Sequence, residues 1–315
     1  NAGGEVTLLK NLVVDTQTIV DKDVTLDLAG HTLTSNSQPW VKDNGVLTIT
    51  DSRDNGEIVL SSAGIMLNEG KLVLNKGKIH ALTNSDVVFI MGTGGFTMHG
   101  GMLLADAGAC IDASYGSGES KIDITGGTVT TKDTGTNAIY IASRFGQGKV
   151  IASISGGTFT TGGQPAVCVD DQNSTLSITG GTFSSEPDNR YIAAGYAAKK
   201  LEDDKYEVVA LFDGGTGTAE DPFLIATSEQ FKAIDQLNGA SYCFKQTADI
   251  AVAAGDEVTK FAGVYDGGNQ KLSSARTSGK FAFLFSVEGL SGHATFKNIH
   301  VTMGELATSL LRCVD

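Results

Sequence analysis

Ile122-Asp123-Ile124-Thr125-Gly126-Gly127-Thr128-Val129-Thr130 is followed by two close copies, Ala152-Ser153-Ile154-Ser155-Gly156-Gly157-Thr158-Phe159-Thr160 and Leu176-Ser177-Ile178-Thr179-Gly180-Gly181-Thr182-Phe183-Ser184. Each alternates apolar and small polar residues with period two, breaks at a glycine pair and alternates again. That pattern describes two short strands joined at a corner. Working outward, the second corner glycine recurs at Gly77, Gly101, Gly127, Gly157 and Gly181, with spacings of 24, 26, 30 and 24 residues. Leu26-Asp27-Leu28-Ala29-Gly30-His31-Thr32-Leu33 carries the same pattern earlier, with Gly30 at the first corner position and His31 at the second. A period near 25 with unequal insertions is the mark of a solenoid, in which no repeat can bury its apolar face without a neighbour.

A third alternating segment lies between corners: Ile65-Met66-Leu67, Val88-Phe89-Ile90, Ile111-Asp112-Ala113, Ile139-Tyr140-Ile141 and Val167-Cys168-Val169. Three strands per repeat predict an all-β, right-handed parallel β-helix in which each strand pairs with its equivalent one coil away. The reading gives about six to seven coils and a rod of roughly 30 Å. Two positions after each second glycine stand Ile79, Leu103, Val129, Phe159 and Phe183, and the segment before the corner supplies pairs such as Leu72 and Leu74 or Ile122 and Ile124. These columns contain no charge, so they are assigned to the core.

The repeat stops near Glu186, and Tyr191 to Tyr196 with Lys205 to Val209 are expected to cap the open strand edges. The predicted β-helix with its cap is 1–210, and a second, smaller β-helical module is 211–315. Phe212 to Ala219, with Gly214, Gly215 and Gly217, reads as a linker. Thr227-Ser228-Glu229-Gln230 is a capping box ahead of Phe231, Ile234 and Leu237, with Asn238-Gly239 as the stop, which predicts one short helix. Tyr242 to Ile250, Phe261 to Tyr265, Phe281 to Val287 and Thr295 to Met303 read as strands, with Asp266-Gly267-Gly268-Asn269 as a turn. Leu306 to Asp315 looks like the start of another coil, so this module is expected to continue in the natural chain.

These residues carry a family resemblance. Asp23 to Thr34, DVTLDLAGHTLT, and the ISGGTF and ITGGTF motifs resemble the pectate-lyase-like β-helix repeats of large surface proteins of gut Firmicutes and of their phages. Gly217 to Ile225 and the later YDGGNQKL resemble GLUG-type adhesin modules, with FAGVYDGGNQ standing where that family has F-x-G-x-F-D-G-N-G-H. The resemblance implies display outside the cell as an adhesin, stalk or virion fibre, on a bacterial or a virion surface. Partners would be a host or dietary glycan or a surface protein. Polysaccharide lyases and glycoside hydrolases share the architecture, so three functions stand: adhesin module, trimeric phage fibre or head-decoration protein, and enzyme. The export signal and anchor expected of a displayed protein are not found within these residues, where no apolar run approaches the roughly 18 residues that span a bilayer.

Composition narrows the partners. Lysine and arginine number 23 against 36 aspartates and glutamates, a net charge of −13 that repels phosphate backbones and anionic lipid. Nucleic acid is therefore not an expected partner. Cys110, Cys168, Cys243 and Cys313 lack CxxC spacing, and neither a metal nor a cofactor is expected. Cys110 and Cys168 fall two coils apart, roughly 10 Å, too far for a disulfide. A Cys243–Cys313 pair stays open. His31, His80, His99, His293 and His300 read as surface or corner histidines rather than metal ligands. The lyase or hydrolase reading would use Asp112, Asp123, Asp170 and Asp171, but Asp112 and Asp123 fall on different strands of one coil, Asp170-Asp171 falls at a strand end where turn aspartates are routine, and no arginine lies within two or three residues of them. Thr128, Thr130, Thr158, Thr160, Thr182 and Ser184 form an outward ladder over three coils, which β-propensity alone explains.

The departure from pattern is on the third strand. With Ile65, Val88, Ile111, Ile139 and Val167 pointing inward, Met66, Phe89, Asp112, Tyr140 and Cys168 point out, and all but Asp112 are apolar or aromatic. An apolar stripe on a soluble rod needs a cover. Contact with a second subunit, with the second module or with a glycan is one reading; coverage by loops of the same coils, such as Asn84-Ser85-Asp86, is the other.

Overall fold

The computed structural model describes residues 3–143, 148–237, 242–274, 282–288, 294–302 and 308–314. It is nearly all β, with the parallel sheets of a right-handed parallel β-helix and about 12 solenoid turns counted over two compact units taken separately. The first unit comprises Asn1–Ala193 and Ala198–Val209, the second Ala194–Ala197 and Ala210–Asp315.

Three parallel sheets form the faces of the first unit. The first face holds eight strands: Gly4–Thr7, Val24–Asp27, Val46–Thr50, Lys71–Leu74, Gly95–Met98, Glu119–Ile124, Lys149–Ile154 and Thr175–Ile178. The second face runs from Leu12–Val14 to Thr182–Phe183, again eight parallel strands, and the third from Ile19–Val20 to Val167–Asp170 with only seven. Eight coils therefore replace the six to seven read from the sequence. The undercount arose at the N-terminal end, where the first corner is Lys10-Asn11 rather than a glycine pair; the Asn11 side-chain carbonyl instead accepts the Thr32 amide of the next coil at 3.0 Å.

The two corner glycines do different work. A Cβ on Gly126 would lie 2.6 Å from the His99 carbonyl oxygen one coil back, so the first glycine is needed for close backbone approach. Gly127 has φ +90, so the second supplies a left-handed turn that a side chain resists. In Leu28-Ala29-Gly30-His31 the turn is made one residue earlier, with Ala29 at φ +47 and Gly30 at φ +77, and His31 is thereby tolerated.

Register matches the core columns. Ile58, Ile79, Leu103, Val129, Phe159 and Phe183 are all at most 3% exposed and lie opposite one another in successive coils. Phe159 and Phe183 stack with centroids 4.9 Å apart and planes at 9°. Two sheet edges at the C-terminal end are closed. Thr182–Phe183 pairs antiparallel with Tyr206–Ala210, and Ile178 bridges Ile192. At the other end the first coil leaves Val6, Leu12 and Ile19 42–50% exposed.

The second unit also has three parallel sheets. One joins Phe223–Ile225, Tyr242–Gln246, Gly263–Asp266 and Ala294–Lys297; another joins Ile250–Val252, Lys271–Ser274 and His300–Thr302; the last pairs Ala282–Glu288 with Thr308–Val314. The helix Ser228–Ala233 has the expected capping box, with Thr227 Oγ1 accepting the Gln230 amide and Gln230 returning to the Thr227 amide. Its expected stop, Asn238-Gly239, lies outside the described residues. Lys271–Ser274 was not anticipated as a strand, because Gln270 and Lys271 mask its short apolar signal. Phe212 is not linker: it is 6% exposed and its ring sits 4.7 Å from Phe223 and 5.8 Å from Phe244. These rings belong to an aromatic core with Phe231, Phe261, Tyr265 and Phe285, where the Tyr265 hydroxyl donates to Gln246 Oε1 at 3.0 Å.

Candidate functional site

The outward column of the third face is continuous in register. Trp40 lies opposite Met66, Met66 opposite Phe89, Phe89 opposite Asp112, Asp112 opposite Tyr140, and Tyr140 opposite Cys168. Ile19, half exposed, extends it by one rung. Met66, Phe89, Tyr140 and Cys168 are neither buried nor fully exposed, and so is Trp40. Neighbouring rungs about 4.8 Å apart are close enough to touch, and the stripe is neither fully exposed nor completely buried by loops.

Asp112 leaves the stripe. It is 5% exposed, and its Oδ1 accepts the Ser114 amide at 2.9 Å, so the carboxylate serves the local backbone rather than an external surface. Trp40, the sole tryptophan of the chain, joins the stripe instead. It was missed because Gln38-Pro39-Trp40-Val41 carries no repeat motif; only pairing in the second coil shows that Val41, fully buried, points inward and Trp40 outward. The indole Nε1 donates to Gln38 Oε1 at 3.3 Å, which holds the ring against its own turn.

Polar groups flank this ladder. Lys42 and Asn68 occupy opposed positions two residues along the same strands. The Tyr140 hydroxyl donates to Asp170 Oδ2 at 3.3 Å. Burial raises the Cys168 thiol above its usual range, with Asp170 adding to the shift, so the thiol stays protonated and acts as an apolar group. Cys110, Cys168 and Cys243 are free thiols, and the side chain of Cys313 lies outside the described residues.

The other candidate residues are dispersed. Asp123 is on the first face and accepts the Ser153 hydroxyl at 2.7 Å, while Asp171 accepts the Asn173 and Ser174 amides at 2.8 and 2.6 Å and shapes a turn. Arg190 is clamped by Asp188 through Nε at 2.9 Å and Nη2 at 2.6 Å. The threonine ladder is in register, Thr128 opposite Thr158 opposite Thr182. His99 Nδ1 meets Thr125 Oγ1 at 3.0 Å, a corner contact.

His80 is more enclosed than a surface histidine. On the second face, Nδ1 lies 3.2 Å from Glu57 Oε1 and Nε2 lies 3.0 Å from Asp106 Oδ1. Lys78 pairs with Glu57 at 2.8 Å and Lys132 with Asp106 at 2.7 Å, completing a polar network across four coils. The Lys132 hydrogen bond, followed by that of His80, holds the Asp106 carboxyl below its usual value. Each carboxylate in this network has a cationic or imidazole partner, which is a structural arrangement rather than that of an open site.

Among the described residues no group of three or more His, Cys, Asp or Glu is placed to hold a metal ion. Among them, too, no helix is long and apolar enough to cross a membrane. Comparison with protein-family models, curated proteins and solved structures returns no match.

Proposed function

We propose that the chain is a non-catalytic display module of a bacterial surface adhesin, a rigid rod whose third face binds an extended glycan outside the cell. The observation that carries this reading is a spacing. Trp40, Phe89 and Tyr140 occupy every second rung of the outward column, and two rungs span roughly 10 Å. An extended β-linked glycan presents the same ring face at every second sugar, over a similar length. One aromatic per glycan repeat supplies apolar area, and the hydroxyls at the sugar edges can reach flanking polar groups such as Lys42, Asn68 and Asp170. The net charge of −13 favours a neutral glycan over an acidic one.

The resemblance to pectate-lyase-like and GLUG-type repeats supports display on a bacterial surface. Asp112 and Asp170 lie on the third face two coils apart, Asp123 on the first face and Asp171 in a turn, and the engagement of Asp112 and Asp171 by local backbone amides supports binding over cleavage. The apolar character of the same column favours a second reading, a trimeric phage fibre in which the stripe is buried between chains. Mass in solution separates the two, because a monomer keeps the stripe open and a trimer covers it. The binding test is affinity for immobilised neutral glycans, with Trp40→Ala and Tyr140→Ala each weakening binding about five- to tenfold.

A further inference from the structure

The third face is one strand short. The first and second faces reach the eighth coil, but the third ends at Val167–Asp170. At this position lies a cavity of about 530 Å³ lined by Val167, Val169, Ile178 and Phe183 together with the chain's own return segment, residues 185–191. Its effect on burial is direct. Ile65, Val88, Ile111 and Ile139, the equivalents of Val167 in earlier coils, are at most 1% exposed, whereas Val167 and Val169 are both only partly buried.

The backbone at this edge is oriented for pairing. The Ile139 amide donates to the Ala166 carbonyl at 3.0 Å, and in a parallel ladder the next contacts of the inner neighbour fall on Cys168 and Asp170, so the amides and carbonyls of Val167 and Val169 point outward. Among the described residues Val169 O accepts the Tyr191 hydroxyl at 3.3 Å, a side-chain contact rather than a strand. The Ser185 hydroxyl, buried in the cavity wall, has no hydrogen-bond partner. Among the described residues the second-face edge is closed by the strand Tyr206–Ala210 and the first-face edge by a single bridge from Ile178 to Ile192, whereas the third-face edge has neither.

We infer that the edge of Val167–Asp170, which pairs with no further strand, is a docking site for an extended segment of another polypeptide, which adds to the third face as its eighth strand. Outward amides give such a segment its hydrogen bonds, and the floor of Val167, Val169, Ile178 and Phe183 takes its alternate apolar side chains. A sugar or a small apolar molecule could fill the volume but would not continue the parallel ladder from the Val167 and Val169 amides. The inference does not rest on glycan binding, although the edge strand also carries Cys168, the last rung of the aromatic column.

The test uses a synthetic peptide with the sequence of residues 137–143, NAIYIAS, the third-face strand of the sixth coil and a natural template for the missing position. Titration into the full chain is expected to show saturable binding below about 1 mM, abolished by proline in the peptide centre. Val169→Pro is the matching variant, since proline is tolerated where an edge-strand amide faces outward yet removes that donor. Its affinity should fall at least tenfold while the far-UV spectrum is retained. Should that variant misfold, amide exchange in the wild-type chain decides: peptide is expected to slow the Val167 and Val169 amides at least tenfold. No saturation by 1 mM, equal affinity in a folded Val169→Pro chain, or unaltered exchange at both amides overturns the inference. So does protection of those amides by self-association without peptide, which would assign the edge to a second copy.

Discussion

Phe159→Ala is the perturbation that interrogates the stacking of coils most sharply. Phe159 is fully buried in the seventh coil, stacked on Phe183 at 4.9 Å with near-parallel rings. Removing the ring deletes apolar contact and leaves a cavity that the coils above and below cannot close, because their backbones are held in ladder register. The expected cost is about 3–5 kcal/mol, of which about 0.5–1.5 belongs to the Phe159–Phe183 pair and appears as coupling in a double-mutant cycle with Phe183→Ala. Solenoid coils contact only their neighbours, so the loss is concentrated near the C-terminal end of the first unit. Trp40, the sole tryptophan, sits in the second coil and reports on the opposite end. Urea unfolding followed by far-UV dichroism should therefore shift to lower denaturant more than Trp40 fluorescence does. A loss below about 1 kcal/mol would refute the inward register of the second face.

Three further predictions concern corners and titrating groups. Gly126→Val drives a side chain into the His99 carbonyl and should cost at least about 2 kcal/mol or abolish soluble expression; a variant as stable as the parent in urea would contradict the close backbone approach. Burial pushes the Cys110 thiol up to about 12, against about 8.5 unfolded, so the fold keeps the proton that the unfolded chain loses. Its contribution is complete below about pH 8.5 and declines as pH rises toward the folded value, at up to about 1.4 kcal/mol per pH unit, a slope that Cys110→Ala should flatten in urea titrations at pH 8 to 10.5. The Asp106 carboxyl is held low, chiefly by Lys132 and then by His80. Its stabilisation is present above its unfolded value near pH 4 and is lost as pH falls through the lower folded value, so Asp106→Asn should reduce the acid-side loss of stability measured by thermal melts from pH 5 to 2.

Fold was legible because solenoid physics writes itself into the chain at a fixed period. A glycine pair marks a corner, and columns such as Ile79, Leu103, Val129, Phe159 and Phe183 must be apolar, since each residue is buried by its equivalents. Coil count failed where the corner chemistry changed, at Asn11, whose side chain replaces a glycine corner with a hydrogen bond to Thr32. The third-face stripe was legible as an alternation, but its members were not all correct. Asp112 turns back to cap the Ser114 amide, a local bond that alternation cannot reveal. Trp40 becomes visible only through pairing with Met66, which is information held by the sheet rather than by its own segment. The polar network through Glu57, His80 and Asp106 joins residues 23 and 26 positions apart, so no local motif announces it. Phe212 was read as linker because glycines surround it, yet its ring belongs to an aromatic core assembled from four later strands, the helix that carries Phe231 and the segment that carries Phe261.

Binding of the intact chain to immobilised neutral glycans, compared with the Trp40→Ala/Tyr140→Ala double variant, tests the proposed function most directly. Saturable binding of the parent to an extended β-linked glycan, weakened about 25-fold or more in the double variant with the glycan recovered uncleaved, is the predicted result. Absence of binding to any extended glycan, binding indifferent to both substitutions, or depolymerisation of the glycan would contradict it.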